Sequence, residues 1–289
     1  MKYISLNDLS NTIRNNIWKI PRDIDFIIGV PRSGMIAASI ISSYLNVPLI
    51  DVNSYIAGIK PYGGYRLSFF LNGHKTTNKA LVIDDTVSNG RAMAITKKKL
   101  SQIKGIDFTY MCVYLEGRAE NAIDFYLEDV RQYTENFTSV VLYEWNLFQH
   151  QPQVMIKCLY DIDGALCVDP PDERNEDEYI NYIKNPKPLF IPRTKMGGIV
   201  TYRLSKYREI TEKWLNEQGI KYNELIMFNG NTYEERAFSG VSPEKLKGEY
   251  YRTHDNYNLF IESDERQAKK IVEISNKPVY CVETNQMYQ

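Results

Sequence analysis

Asp161, Ile162, Asp163 and Gly164 follow an apolar run, Val154–Tyr160. If the chain stays extended there, the two carboxylates point the same way. One can attack phosphorus while the other handles the leaving-group proton, with Mg²⁺ screening the anionic nucleophile from an anionic phosphate. Gly164 lets the backbone turn away sharply. A second acidic pair, Asp84 and Asp85, follows Ala80–Ile83 and precedes a small polar turn, Thr86–Gly90. A strand, a tight turn and a helix N-terminus make a phosphate cradle of backbone N–H groups and helix dipole. No Gly-Lys-Ser/Thr follows, so this is not the nucleotide P-loop. Acidic side chains beside an anion cradle need a partner of their own, and vicinal ribose hydroxyls or Mg²⁺ would serve.

Alternating elements must position these groups. The apolar stripe Leu6, Leu9, Ile13 and Ile17 predicts a helix over residues 3–18. Asp25–Val30 reads as a strand entering the loop Pro31-Arg32-Ser33-Gly34, with a helix from Met35 to Leu45 and a strand over Pro48–Val52. Ala80–Ile83 is a strand, Arg91–Lys104 a helix, and Phe108–Leu115 and Ser139–Glu144 further strands. Val154–Tyr160, Gly198–Thr201 and Asn258–Ile261 are strands of the second half, with a helix over Tyr207–Gln218. The expectation is an α/β chain of two doubly wound domains, 1–150 and 151–289, joined near the polar His150-Gln151-Pro152-Gln153. Ligands then belong at the carboxyl ends of the strands.

A chain of 289 residues has room for two domains, and a net charge of −1 argues against a general nucleic-acid binder. The four cysteines show no Cys-x-x-Cys spacing, which suits reduced thiols in a cytoplasmic protein. No signal peptide is visible. The most apolar window, Met35–Ile50, is broken by serines, Asn46 and Pro48, so no membrane span is expected.

Asp-Asp-Thr followed by a small loop and Gly-Arg resembles the phosphoribosyl-diphosphate (PRPP) motif of type I phosphoribosyltransferases. The resemblance implies that Asp84 and Asp85 meet the ribose hydroxyls. It places Thr86, Val87, Ser88, Asn89 and Gly90 around the 5′-phosphate. Gly-Val-Pro-Arg-Ser-Gly resembles that family's diphosphate loop, implying contacts from Arg32, Ser33 and Gly34. The Gly-rich interval 57–77 corresponds to a hood that closes over PRPP and excludes water.

Asp161-Ile162-Asp163-Gly164-Ala165-Leu166 resembles motif I of haloacid-dehalogenase (HAD) phosphatases. That resemblance implies Asp161 as nucleophile, Asp163 as acid/base and Thr201 as a donor to the phosphoryl group. Lys245 and Lys247 both fit the lysine slot; they lie roughly 200° apart around a helix, so only one faces the site, and Lys247 is preferred. Mg²⁺ would be held by Asp161, Asp163 and Asp264, with Glu262 as the alternative to Asp264. The short interval between the first two motifs leaves room for a flap, not a large cap. The combination resembles dual-domain ribofuranosyltransferases, which transfer phosphoribose from PRPP to a glycan and then strip the 5-phosphate. The alternatives are a base phosphoribosyltransferase fused to a nucleotidase, and a PRPP-binding regulator.

Overall fold

The computed structural model describes residues 1–64, 76–134, 140–148, 152–171 and 174–289. The chain divides into two compact units, 1–145 and 146–289.

In the first unit the elements run β1 (Lys2–Ile4), α1 (Leu6–Asn15), β2 (Phe26–Gly29), α2 (Gly34–Leu45), β3 (Leu49–Asp51) and α3 (Val52–Ile56). They continue with β4 (Lys79–Val87), α4 (Arg91–Leu100), β5 (Asp107–Leu115), β6 (Phe125–Asp129) and β7 (Val141–Tyr143). Five strands form a parallel sheet in the order β3-β2-β4-β5-β6. The strand order reverses between β2 and β4, the place where open α/β sheets bind ligands. Alternation sets the core: Leu81 and Ile83 of β4 pack with Leu9, Ile13, Ala37 and Ile41 on one face. Ala80 and Val82 pack with Val52, Met93 and Leu100 on the other. A strand buried on both faces reads as one continuous apolar run, as Ala80–Ile83 does.

Several expected bounds change. Tyr3 and Ile4 belong to β1, not to a helix from residue 3, because they pair with Leu142 and Tyr143 of β7. Ser5 then starts α1 with a capping box to Asp8. Of the expected Ser139–Glu144 strand, Val141–Tyr143 forms β7, outside the five-stranded sheet, and Ser139 lies outside the described residues. The expected Ala80–Ile83 strand runs on to Val87, so Asp84 and Asp85 lie within it. Of the expected hood, residues 65–75 lie outside the described residues.

In the second unit the elements are α5 (Pro152–Met155), β8 (Cys158–Tyr160), α6 (Glu176–Lys184), β9 (Gly198–Leu204), α7 (Arg208–Glu217) and β10 (Glu224–Phe228). Then come α8 (Tyr233–Phe238), α9 (Pro243–Thr253), β11 (Leu259–Glu262), α10 (Glu265–Ser275), β12 (Val279–Cys281) and β13 (Gln286–Tyr288). The sheet order is β10-β9-β8-β11-β12-β13, parallel except for β13. Its order reverses between β8 and β11. The expected Val154–Tyr160 strand is shorter, because Val154 and Met155 lie in the α5 turn that begins at Pro152. Proline suits a first helical turn, where its missing N–H costs nothing. Helix α6 fills the flap interval. All four cysteines are buried and free. Among the described residues no helix is long and apolar enough to cross a membrane.

Candidate functional site

Each unit brings its acidic residues to its own switch point. In the first, the loop after β2 and the loop after β4 meet. Gly34, the first residue of α2, stands against β4: a Cβ there would come 2.9 Å from Asp84 Oδ1 and 2.9 Å from the Ile83 carbonyl oxygen. Only glycine permits that approach. Asp84 and Asp85 are buried, not solvated. Trp145, just beyond β7, donates its indole N–H to Asp85 Oδ2 at 2.6 Å. The Trp145 carbonyl accepts from Arg32 Nη1 at 3.1 Å. One residue thus ties the acidic pair to the other loop. No sequence pattern marks Trp145 for this role, because the contact spans distant parts of the chain.

Burial, then the neighbouring Asp85 charge, pushes the Asp84 carboxyl well above the ordinary carboxylate range. The Trp145 indole, which bonds Asp85, is a neutral donor. The pair therefore suits hydroxyl donors, which need acceptors but bring no full charge.

The expected phosphate turn is narrower than Thr86–Gly90. Thr86 and Val87 continue β4, pairing with Tyr114 and Leu115. Val87 is buried in the core, and its carbonyl accepts from Glu116 N–H at 3.0 Å and Gly117 N–H at 3.3 Å. Its carbonyl and side chain are therefore engaged within the fold. The exposed turn is Ser88, Asn89 and Gly90, leading into α4. Gly90 has φ +71°, and a Cβ there would lie 2.8 Å from Ala119 Cβ. The Asn89 amide oxygen accepts from Arg91 N–H at 3.0 Å, which occupies one of the helix-start donors. Ser33 immediately precedes α2, and Arg32 is exposed.

In the second unit, a cavity of about 530 Å³ is lined by Asp161, Asp163, Thr201, Lys247, Ser263 and Asp264, among others. Asp161 immediately follows β8, Thr201 lies in β9, Lys247 in α9, and Asp264 caps α10. Gly164 has φ +75°, and a Cβ there would meet Ser263 Cβ at 2.4 Å. The loop after β8 can approach the loop after β11 only with glycine at that position.

Lys247 is buried. Its ammonium donates to Asp161 Oδ2 at 2.6 Å, Glu262 Oε2 at 2.7 Å and Gln267 Oε1 at 2.9 Å. Lys245 is exposed, so Lys247 alone reaches the acidic group. Burial pushes Asp161 up to about 8, with Lys247 opposing and the Glu262 and Asp163 charges adding to the rise. A nucleophilic carboxylate must be ionised, so added positive charge at this cavity would favour the reactive form. Thr201 Oγ1 accepts from Arg203 N–H at 3.3 Å, leaving its own proton to donate.

Asp163 is arranged differently from Asp161. Arg203 grips it with Nε to Oδ2 at 2.9 Å and Nη2 to Oδ1 at 2.6 Å. Tyr182 of α6 adds its hydroxyl to Oδ1 at 2.8 Å. Burial opposes the charge, but Arg203 and then Tyr182 hold Asp163 below its ordinary range. An ionised Asp163 is set to accept a proton. Donating one first requires loosening this clamp.

The clamp bears on the side chains expected to hold a metal. Among the described residues no three His, Cys, Asp or Glu side chains converge as a metal group. Asp163's carboxylate is committed to Arg203. Glu262 does not line the cavity; besides Lys247 it accepts from the N–H of Ser263 at 2.8 Å and of Asp264 at 3.3 Å. Asp264 does line it, and commits Oδ1 to the Gln267 N–H at 2.6 Å. Asp161 and Asp264 remain the carboxylates suited to a hard, oxygen-seeking cation, which usually keeps several waters. Arg203 and Tyr182 went unmarked in the sequence, because a bidentate clamp across distant elements leaves no local pattern.

No protein-family model and no curated protein matches the chain. Among solved structures it is similar to a purine phosphoribosyltransferase from Pyrococcus horikoshii Ot3, at 20% identity over 50% of this chain and 94% of that one, TM-score 0.35. It is similar to an orotate phosphoribosyltransferase from Aeropyrum pernix at 15% identity over 44% of this chain and 71% of that one, TM-score 0.32. A third is the Helicobacter pylori xanthine-guanine-hypoxanthine phosphoribosyltransferase, at 15% identity over 50% and 92%, TM-score 0.34. The α/β architecture of each unit stands on its own strand order and register.

Proposed function

We propose that the chain is a bifunctional ribofuranosyltransferase. Its first unit transfers 5-phosphoribosyl from PRPP to a glycan hydroxyl and releases diphosphate. Its second unit, a HAD-like phosphatase, hydrolyses the 5-phosphate and leaves ribofuranose. The observation that carries this reading is the second cavity. Asp161 immediately follows a central parallel strand, with Lys247 bonded to it, Asp264 across the switch point and Thr201 on the adjacent strand.

In the first unit, Asp84 and Asp85 would accept from the ribose hydroxyls. The N–H groups around Ser88–Gly90 would hold the 5′-phosphate, and Arg32, Ser33 and Gly34 the diphosphate. In the second, Asp161 would attack phosphorus. Lys247 and the Thr201 hydroxyl would balance charge building on the phosphoryl oxygens. Asp163, once its clamp loosens, would protonate the departing ribose oxygen and then take the proton of the water that frees the enzyme. Mg²⁺, held by Asp161 and Asp264, would supply charge neutralisation between two anions. The two chemistries suit one purpose. A phosphoribosyl product always carries a 5-phosphate, and a phosphatase on the same chain makes sense when the wanted unit is bare ribose.

The test is incubation with Mg²⁺, PRPP and candidate acceptors, following diphosphate and then orthophosphate. The reading expects both to appear, with orthophosphate dependent on prior transfer. Transfer to a nucleobase would favour the base phosphoribosyltransferase with a nucleotidase. Tight PRPP binding without release of diphosphate would favour a regulator.

A further inference from the structure

A second cavity, of about 860 Å³, opens in the first unit and is lined by Glu116, Gly117, Arg118, Asp129, Arg131, Gln132 and Thr134. It shares an edge with the donor turn. Glu116 and Gly117 both donate their N–H groups to Val87, the residue just before Ser88. A Cβ on Gly117 would lie 2.1 Å from the Ser88 carbonyl oxygen, so only glycine lets the two backbones touch. The far wall is stiff. Arg131 holds Asp129 with Nε to Oδ1 at 3.0 Å and Nη2 to Oδ2 at 2.5 Å, and reaches Glu120 at 2.9 Å. Thr134 ties this wall to the first by donating to the Glu116 carbonyl at 3.1 Å.

The lining chemistry discriminates between ligand classes. A nucleobase is flat and calls for an aromatic or aliphatic face to stack on. Among the described residues this cavity presents carboxylate, guanidinium, amide and hydroxyl groups, and no aromatic side chain. A saccharide offers many hydroxyls, each both donor and acceptor, which such a lining can match. Glu116 differs from two other carboxylates of the unit. Asp129 is spent on Arg131, and Asp85 on Trp145. Glu116 is half-buried, and its carboxylate has no hydrogen-bond partner among the described residues. Burial, then the Asp85 charge, raises its carboxyl above the ordinary value.

We propose that this cavity holds a saccharide acceptor and that Glu116 is the general base for its attacking hydroxyl. This rests on the transferase reading of the first unit and goes beyond it, since it names the acceptor site and the base. The acceptor oxygen forms a bond to C1 of PRPP. The C1–O bond to diphosphate breaks, and its electron pair leaves with diphosphate. The hydroxyl proton passes to the Glu116 carboxylate.

The experiment uses the full chain with Mg²⁺ and PRPP. One acceptor set is neutral methyl pentosides and hexosides; the other is adenine, hypoxanthine and orotate. PRPP binding is read by calorimetry and turnover by diphosphate release. Release is expected with at least one glycoside and with none of the bases. Glu116→Gln is expected to bind PRPP like the parent while losing about 10²–10⁴-fold in kcat. Gln132→Ala, which leaves Glu116 in place, is expected to raise the glycoside KM several-fold with kcat little changed. Parent-like kcat in E116Q overturns the assignment of the base. Release with bases alone, with no acceptor of either set, or an unmoved KM in Q132A overturns the acceptor site. A parent that does not bind PRPP at all removes the transferase reading, an outcome distinct from the others because binding is measured without an acceptor.

Discussion

The two units place acidic pairs at equivalent points of related sheets and treat them in opposite ways. In the second unit, both carboxylates of the pair carry a cationic partner from the protein: Lys247 on Asp161 and Arg203 on Asp163. In the first, a neutral donor serves the pair: the Trp145 indole on Asp85. The difference is chemical. Under the proposed roles Asp161 must be ionised to attack, and Lys247 opposes, without cancelling, the rise that burial imposes on it. A pair that receives sugar hydroxyls gains from being left short of donors until the ligand arrives, because a preformed ion pair would compete for the same oxygens. Burial without a cation raises Asp84, whereas burial with Arg203 leaves Asp163 lowered.

Removing the internal cation from the second unit should break the comparison most severely. Lys247→Met leaves Asp161 and Glu262 buried and facing each other with no charge between them. Stripping one partner from a buried ion pair costs about 3–5 kcal/mol. Calorimetry should show the second unit melting earlier, phosphatase activity should vanish, and PRPP binding by the first unit should persist. A variant as stable as the parent would mean that the buried carboxylates are neutral.

The same contrast shows what the amino-acid sequence makes legible. Ala80–Ile83 and the Asp-Ile-Asp-Gly run declare themselves, because a doubly buried strand and a strand-end turn with a glycine are local patterns. Helical spacing says that only one of Lys245 and Lys247 can face a given site; the structure buries Lys247 and exposes Lys245. Trp145, Arg203 and Tyr182 were not readable. Each acts across a long loop of chain, and nothing in its own neighbourhood differs from ordinary packing. The end of β4 was misplaced for a related reason: Asp84 and Asp85 look like loop residues until β5 is seen to pair with them. Strand β6 was missed because Phe125–Asp129 is half-exposed and ends in two acids.

A weaker perturbation sharpens the Asp163 side of the contrast. Arg203→Lys keeps the charge and loses the bidentate grip. Arg203 depresses Asp163, so the carboxylate stays ionised, and its ion pair intact, until pH falls through that lowered value. Weakening the grip moves the value upward. The acidic limb of phosphatase activity should therefore shift to higher pH, with several-fold loss of rate. An unmoved limb would assign the proton acceptor to another group.

The smallest effect belongs to Asp84. Its folded-state value is raised, so the protonated form is the one the fold tolerates. Its contribution to stability is full below the ordinary carboxylate range and is lost as pH rises through the raised value. Asp84→Asn should remove that loss, stabilising the ligand-free protein at neutral pH by about 1 kcal/mol while weakening PRPP binding. Thermal melts across pH check the first effect and calorimetric titration the second. A destabilised variant would mean that Asp84 is paired in solution.

The central claim is that transfer precedes dephosphorylation on one chain. Asp161→Asn tests it most directly, since the near-isosteric amide is a poor nucleophile and its loss of rate commonly reaches several orders of magnitude. The measurement is the mass of the acceptor after incubation with PRPP. The account predicts that the wild-type product carries bare ribose and that the Asp161→Asn product is heavier by one phosphate. A dephosphorylated product from the variant, or a phosphorylated one from the wild type, would contradict it.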